Sequence, residues 1–205
     1  VENRNPSDIS DVIGHFAQAS AAQLDEAIAA ARGAQPLWWA AGIQKRHDVL
    51  MAIGSELLAR AGEIGSLLAR EEGKTLAEGK GEVYRAGQFF TYYAAEALRV
   101  MGDHAQSVRP GIEIDVRREA VGVVAIISPW NFPLAIFVGQ VAAALATGNT
   151  VLAKPAEQTP GVALQAVELL HAAGVPVDAL QLLHGPGETV GAALVAAPGV
   201  AGVVF

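Results

Sequence analysis

A few short groups of residues in this 205-residue chain have the types and spacing to do chemistry. In Ser128-Pro129-Trp130-Asn131-Phe132-Pro133, an asparagine follows an apolar β-branched run, Val121 to Ile127, and precedes an apolar helical stretch, Leu134 to Ala146. An Asn amide fixed there could stabilise a developing oxyanion; the alternative is that it caps the helix ahead of Pro133. Lys154-Pro155-Ala156-Glu157 closes a second strand-like run, Thr150 to Ala153. At that place an acidic side chain can accept hydrogen bonds from ribose hydroxyls, and a nearby lysine can bond the same hydroxyls. Taken singly each is an ordinary solvated charge; their place in a strand-helix-strand unit favours binding. Gly185-x-Gly187-x-x-x-Gly191 is a near relative of the G-x-G-x-x-G fingerprint, whose glycines let the backbone approach a pyrophosphate at a helix start. It follows the third strand rather than the first, and a tight strand-to-helix turn is the plainer reading. Glu71-Glu72 reads as a solvated helix end rather than an acid/base pair.

Composition limits what these groups can serve. The chain has no cysteine, so it holds no disulfide, no thiolate metal site and no thiol nucleophile. Its five histidines, at 15, 47, 104, 171 and 184, lack ligand spacing, and no metal is assigned. A net charge of −7 and a pI near 5.2 disfavour nucleic acid or an anionic membrane as the main partner. Hydrophobic content of 52% against 17% charged residues is ample for a packed core. No uninterrupted apolar run reaches the roughly 18 residues of a membrane span. The start, VENRNPSD, is polar and acidic rather than a signal peptide, and a cytoplasmic setting is expected.

The elements that must position the groups follow from periodicity. Residues 1–19 read as an extended arm. Ser20 to Gln23 is a capping box opening a helix with Leu24, Ala27, Ile28 and Ala31 on one face; Gly33 weakens it and Pro36 ends it. Trp38-Trp39 reads as a core anchor. A second helix, Ile43 to Ala59, buries Leu50, Ile53, Leu57 and Leu58, and a short third near Glu63 to Glu71 ends at Gly73. Thr75 to Glu78 is another capping box, opening a long helix whose buried stripe is Val83, Ala86, Phe90, Ala94, Ala97, Leu98 and Met101, stopped by Gly102. Its aromatics, Phe89, Phe90, Tyr92 and Tyr93, read as core rather than a cofactor platform. Ile112, Ile114 and Val116 alternate with charged residues, the period of a half-exposed strand whose apolar face needs cover from a partner subunit or from the same chain. Thr159-Pro160 then opens a helix ending at Gly174. Ala179 to Leu183 is a third strand, Thr189 to Ala196 a small-residue helix, and Val200 to Phe205 a fourth strand. Strands alternating with helices imply a parallel, doubly wound sheet. The chain stops on a strand, at Phe205, and begins on Val1, so a piece of a larger protein is expected.

The motifs at 128–133, Gly148-Asn149, 154–157 and 185–191, in that order and spacing, resemble the aldehyde dehydrogenase superfamily. Pro129 to Leu134, Gly139-Gln140 and Ala153 to Pro160 are most similar to the glutamate-semialdehyde (pyrroline-5-carboxylate) dehydrogenase module of bifunctional enzymes of proline metabolism. Glu71 to Lys74, Glu82 to Gln88 and Ser107 to Gly111 look more like α-ketoglutaric-semialdehyde dehydrogenases. The resemblance implies an α/β fold: a Rossmann-like parallel sheet with flanking helices, N-terminal helices and a β-hairpin oligomerisation flap, truncated here. It would place an arm and packing helices at 1–104, the flap ribbon at 105–120 and an incomplete NAD-binding domain at 121–205. Ile127, Ser128, Pro129, Trp130 and Asn131 would contact the nicotinamide half, with Asn131 in the oxyanion hole. Lys154, Pro155, Ala156 and Glu157 would hold the adenosine ribose, Glu157 favouring NAD over NADP by repelling a 2′-phosphate. Gly187 and Gly191 would lie by adenine and pyrophosphate, with Phe205 completing the cofactor contacts. The implied partners are an aldehyde and further copies of the chain through the ribbon. The implied reaction needs a cysteine nucleophile and a glutamate base, and neither catalytic position is present; nor is the Thr-Gly-Ser expected after the fourth strand. The chain alone is then inactive, or it is a non-catalytic nucleotide-binding or assembly module.

Overall fold

The computed structural model describes residues 1–100 and 102–205; Met101, expected in the long helix's stripe, lies outside the described residues. The first residues do not form an open arm. They pair with each other, β1 (Glu2–Asn5) running antiparallel to β2 (Asp8–His15) around Pro6-Ser7. Next, α1 (Ala21–Ala40) starts with the expected capping box, Ser20 and Gln23 bonding reciprocally. It does not end at Pro36 but runs four residues past it. A mid-helix proline forfeits one hydrogen bond, and tertiary bonds offset that loss here. Trp38 Nε1 donates to the Leu145 carbonyl at 3.0 Å, and Gln35 donates to that of Gly148. The Arg46 guanidinium donates to the carbonyls of Trp38 and Trp39. Trp38 is therefore the buried anchor, whereas Trp39 is partly exposed with Arg46 over its ring.

The helical layer comprises α2 (Ile43–Ala59), α3 (Ala61–Glu72) and α4 (Leu76–Arg99). Gly73, at φ +91°, ends α3 in the left-handed conformation that favours glycine. Thr75 and Glu78 form the second capping box, opening α4. Leu58 and Leu98, expected in the core, lie at its exposed margin, while Leu57 and Ala97 point inward. A ribbon follows: β3 (Gly102–Gln106) pairs antiparallel with β4 (Glu113–Arg117). Gly102 thus opens a strand rather than only stopping a helix, and the ribbon closes before Val121. Ile112, Ile114 and Val116 alternate as expected and each is about half exposed.

Next come β5 (Val123–Ile127), α5 (Ala135–Ala146), β6 (Thr150–Lys154), α6 (Pro160–Ala172), β7 (Leu180–Leu182), α7 (Ala192–Ala196) and β8 (Gly202–Val204). The strands form one parallel sheet in the order β7-β6-β5-β8. Val123, Ala125 and Leu152 pack with α1 and α7 on one face, and Val124, Ile126, Val151 and Ala153 pack with α5, α6 and the helical layer on the other. Both faces are buried, which is why these strands read as continuous apolar runs. Boundaries moved locally. Gly122, at φ +127°, delays β5 to Val123, Ala179 belongs to a 3-10 turn, and Thr189 lies in a π-helical turn, Gly187–Gly191.

The two crossover helices are capped by carboxylates from the helical layer. Glu82 Oε1 accepts from the N–H groups of Leu134 and Ala135 at 2.9 and 3.0 Å, opening α5. Glu71 accepts from Gly161 at 2.6 Å and Val162 at 2.8 Å, opening α6. The expected cap, Thr159, leaves its buried hydroxyl without a partner among the described residues. Glu71 is thus no solvated helix end; it is 3% exposed. Burial pushes its carboxyl up to about 7, against the pull of its two N–H donors. A folded-state pKa above the unfolded value means that the folded chain binds the extra proton, so this contribution to stability is full below about pH 4.5 and is lost as pH rises through about 7. The shift corresponds to about 3 kcal/mol. In urea unfolding, wild type is expected to lose stability relative to Glu71→Gln by up to about 3 kcal/mol between pH 5 and pH 8.5; a pH-independent difference would contradict it.

Candidate functional site

The chain steps outward from β5 to β6 to β7, then returns across the sheet to β8 on the far side of β5. The direction reverses at the C-terminal end of β5, and open α/β sheets leave a ligand crevice at such a switch point. Most of the sequence-predicted residues meet at this edge. Ile127 and Lys154 are register partners, and the Ser128 N–H donates to the Lys154 carbonyl at 3.1 Å. Lys154 is only 2% exposed; its Nζ donates to the Pro155 carbonyl at 2.8 Å and lies 3.5 Å from Glu157 Oε2. The other Glu157 oxygen accepts from the Gly187 N–H at 2.6 Å. Ala156 is buried beneath this pair, and the Ser128 hydroxyl is buried without a partner among the described residues. Trp130, Asn131 and Phe132 stand on the solvent side. Phe205 follows Val204, the register partner of Ile126, and is 92% exposed, touching none of the cluster's polar groups by hydrogen bond.

Electrostatics keep the Glu157 carboxylate charged. Burial pushes the Glu157 carboxyl up, but its own N–H, that of Gly187 and the Lys154 ammonium outweigh burial and hold it below the usual range. Burial and the Lys154 charge lower the pKa of His184, whose ring packs edge-on to Phe16 at 5.4 Å. Beside the cluster a cleft of about 500 Å³ opens against the N-terminal hairpin, lined by Asn3, Glu71, Glu72, Trp130 and Glu157. The Asn3 amide ties the hairpin there by donating to the Gln158 carbonyl at 2.8 Å. A cavity of about 590 Å³ lies at the opposite end of the strands around Trp39, Arg46, Val121 and Asn149, and none of the sequence-predicted site residues line it.

The glycine pattern divides by role. Gly185 has φ +154°, a backbone state that side chains rarely adopt, so the fold itself demands it. Gly187 and Gly191 are not demanded. A Cβ at Gly187 would lie 3.8 Å from Glu157 Oε1, and one at Gly191 would lie 3.5 Å from Lys154 Cε, both ordinary contacts. Gly187 is exposed and leaves bare backbone beside Glu157, whereas Gly191 is buried against the Lys154 stem. Bare backbone is the surface a nucleotide's phosphates and ribose need for close approach.

In a usual doubly wound dinucleotide fold the N-terminus of the first crossover helix takes the pyrophosphate. Here the first N–H groups of α5 already bond Glu82, and those of α6 bond Glu71. A second anion at either end would find those donors already taken. The 187–191 segment is the remaining glycine-rich helix start on this edge.

Two residues of the site were missed by sequence reasoning. Lys74 Nζ lies 2.5 Å from Glu82 Oε2, donates to the Asn131 carbonyl at 3.0 Å, and sits 4.7 Å from the Phe132 ring centroid. The signal was present: Gly79, Glu82, Val83 and Ala86 share one buried face of α4, so Glu82 is a carboxylate placed in an apolar stripe. The alternative reading of Asn131 as the cap of α5 is overturned, because Glu82 does that work. Among the described residues, no His, Asp and Glu group is arranged to hold a metal, and no helix is long and apolar enough to cross a membrane.

Comparison with known proteins bears on the family and the fold. The model of the aldehyde dehydrogenase family matches residues 1–205. Bifunctional protein PutA of Klebsiella aerogenes is 43% identical over 201 residues, which is 98% of this chain and 14% of that protein. Alpha-ketoglutaric semialdehyde dehydrogenase of Bacillus subtilis is 38% identical over 159 residues, 78% of this chain and 33% of that protein. The crystal structure of an aldehyde dehydrogenase from Brucella melitensis biovar abortus superposes with a TM-score of 0.95 at 37% identity, covering 99% of this chain and 42% of its own. The chain therefore spans well under half the length of these relatives. On fold, motif order and family match together, the chain belongs to the aldehyde dehydrogenase family.

Proposed function

We propose that the chain carries the cofactor-binding and oxyanion-stabilising part of an NAD(P)-dependent enzyme that oxidises an aldehyde to a carboxylate, with glutamate semialdehyde as the candidate substrate in view of the PutA similarity. The observation that carries the reading is the convergence of Lys154, Glu157, Gly187 and Gly191 at the switch point while both crossover-helix starts are filled by carboxylates. Lys154 and Glu157 hold the adenosine ribose by bonding its hydroxyls, with Pro155 and Ala156 shaping the floor. Gly187 leaves backbone open to the adenine and pyrophosphate, and Gly191 lies buried behind it. Ile127 to Asn131, with Phe205, flank the nicotinamide half. Bound NAD(P) supplies the hydride acceptor for aldehyde oxidation. The Asn131 amide donates to the oxyanion that develops on the aldehyde oxygen. The thiol nucleophile of this chemistry cannot come from these residues, since the chain has no cysteine. The 205-residue polypeptide by itself is therefore silent in an aldehyde assay. That absence also favours a second reading, a nucleotide-binding or assembly module without chemistry of its own. A soluble cytoplasmic setting suits either reading.

Glu157 sets the cofactor preference. A carboxylate held ionised beside the ribose hydroxyls repels a 2′-phosphate, so NAD is favoured over NADP. The ribbon β3–β4 sets the assembly: one row of half-exposed β-branched residues needs cover, and a further copy of the chain provides it. Calorimetry on the polypeptide is expected to show NAD binding, NADP binding at least about tenfold weaker (~1.4 kcal/mol), and a narrower gap in Glu157→Gln. Absence of NAD binding, or NADP binding as tight as NAD, would overturn the respective assignment. Light scattering is expected to show an oligomer that Ile114→Asp dissociates; a wild type already monomeric at micromolar concentration would rule the ribbon out.

A further inference from the structure

Asn131 stands on the solvent side of its turn, freed from helix capping, and its placement must come from elsewhere. Its backbone carbonyl accepts from Lys74 Nζ at 3.0 Å. The same ammonium bonds Glu82 Oε2 at 2.5 Å and lies over the Phe132 ring. Glu82 in turn takes the N–H groups of Leu134 and Ala135. One ion pair therefore grips the turn at both ends, at the residue 131 carbonyl and at the residue 134 and 135 amides. The grip is itself anchored. Lys74 sits between Gly73, which ends α3, and Thr75, which caps α4, so neither backbone neighbour is free to drift.

We propose that Lys74 and Glu82 are positioning residues for the Asn131 turn, holding its amide where the oxyanion develops; the proposal rests on the reading of Asn131 as an oxyanion donor. Stability alone does not call for such a pair. The Glu82 side chain is 1% exposed and that of Lys74 10%, and a desolvated ion pair is often no more stabilising than apolar residues of equal volume. What a satisfied buried network adds is a single geometry. An oxyanion donor needs that, because its effect depends on placement to within about 0.5 Å. Among the described residues, Lys74 shares no hydrogen bond or ion pair with Lys154 or Glu157, so the turn can be loosened without removing the ribose-side groups.

The test follows the Asn131 side-chain amide by NMR in 15N-labelled protein, with NAD affinity measured alongside. In wild type the Asn131 amide pair is expected to be dispersed and sharp. In Lys74→Met it moves to the position of a free amide, while the backbone signals of β5 and β6 stay in place. Lys74→Arg, which keeps the cation and its donors, restores dispersion. An unchanged Asn131 signal in Lys74→Met would overturn the proposal. Wild type supplies an independent readout should a variant fail to fold: the Leu134 and Ala135 amides, which exchange freely at an uncapped helix start, are expected to be protected, and fast exchange there would overturn it too. A wild type that binds no NAD defeats the cofactor reading and leaves the Asn131 signals to judge the clamp.

Discussion

A buried carboxylate at the start of each crossover helix is the interaction on which the rest of this structure depends. Helix N-termini leave N–H groups unpaired and carry partial positive charge. In this chain Glu82 and Glu71 satisfy them for α5 and α6. Arg46 does the complementary work at the other end, donating to the carbonyl of Ala146 at the close of α5 and to those of Trp38 and Trp39 at the close of α1. Residues of α2, α3 and α4 thus bond one end each of α1 and α6 and both ends of α5, besides packing on them. Removing one partner would leave an uncompensated buried group, far costlier than losing a surface pair.

The same interaction decides where a ligand can sit. With the N–H donors of α5 and α6 taken, the switch-point crevice keeps the buried Lys154, the ionised Glu157 and the bare backbone at Gly187. The proposed site is therefore displaced toward β6 and the 187–191 turn, relative to a fold whose first crossover helix holds the pyrophosphate. Asn131 remains at the end of β5, with its turn fixed from beneath by Lys74.

Much of this is legible in the sequence where the cause is local. Both capping boxes, the bounds of α2 and the left-handed stop at Gly73 involve residues within a turn of each other, and all stand as expected. The strands are legible because two-sided burial leaves an apolar run. What cannot be read has a distant cause. Pro36 fails to end α1 because Leu145 and Gly148 supply bonds from far along the chain and Arg46 adds its own from the next helix. The hairpin at residues 2–15 has polar strands paired through backbone, so it carries no apolar alternation. Glu71 looks like a solvated end in sequence because its two N–H partners lie about ninety residues later. Glu82 is readable in principle, as a charge on a buried stripe. The glycine pattern is visible whole, but only backbone angles separate Gly185, needed by the turn, from Gly187 and Gly191.

The central claim is that the C-terminal ends of β5 and β6, with the 187–191 turn, form the nucleotide site. Amide hydrogen exchange of the full polypeptide with and without saturating NAD tests it most directly. Added protection is expected in residues 127–131, 154–157 and 187–191, with none in the larger cavity around Trp39, Arg46 and Asn149. Protection confined to that opposite cavity, or absent throughout, would contradict the account.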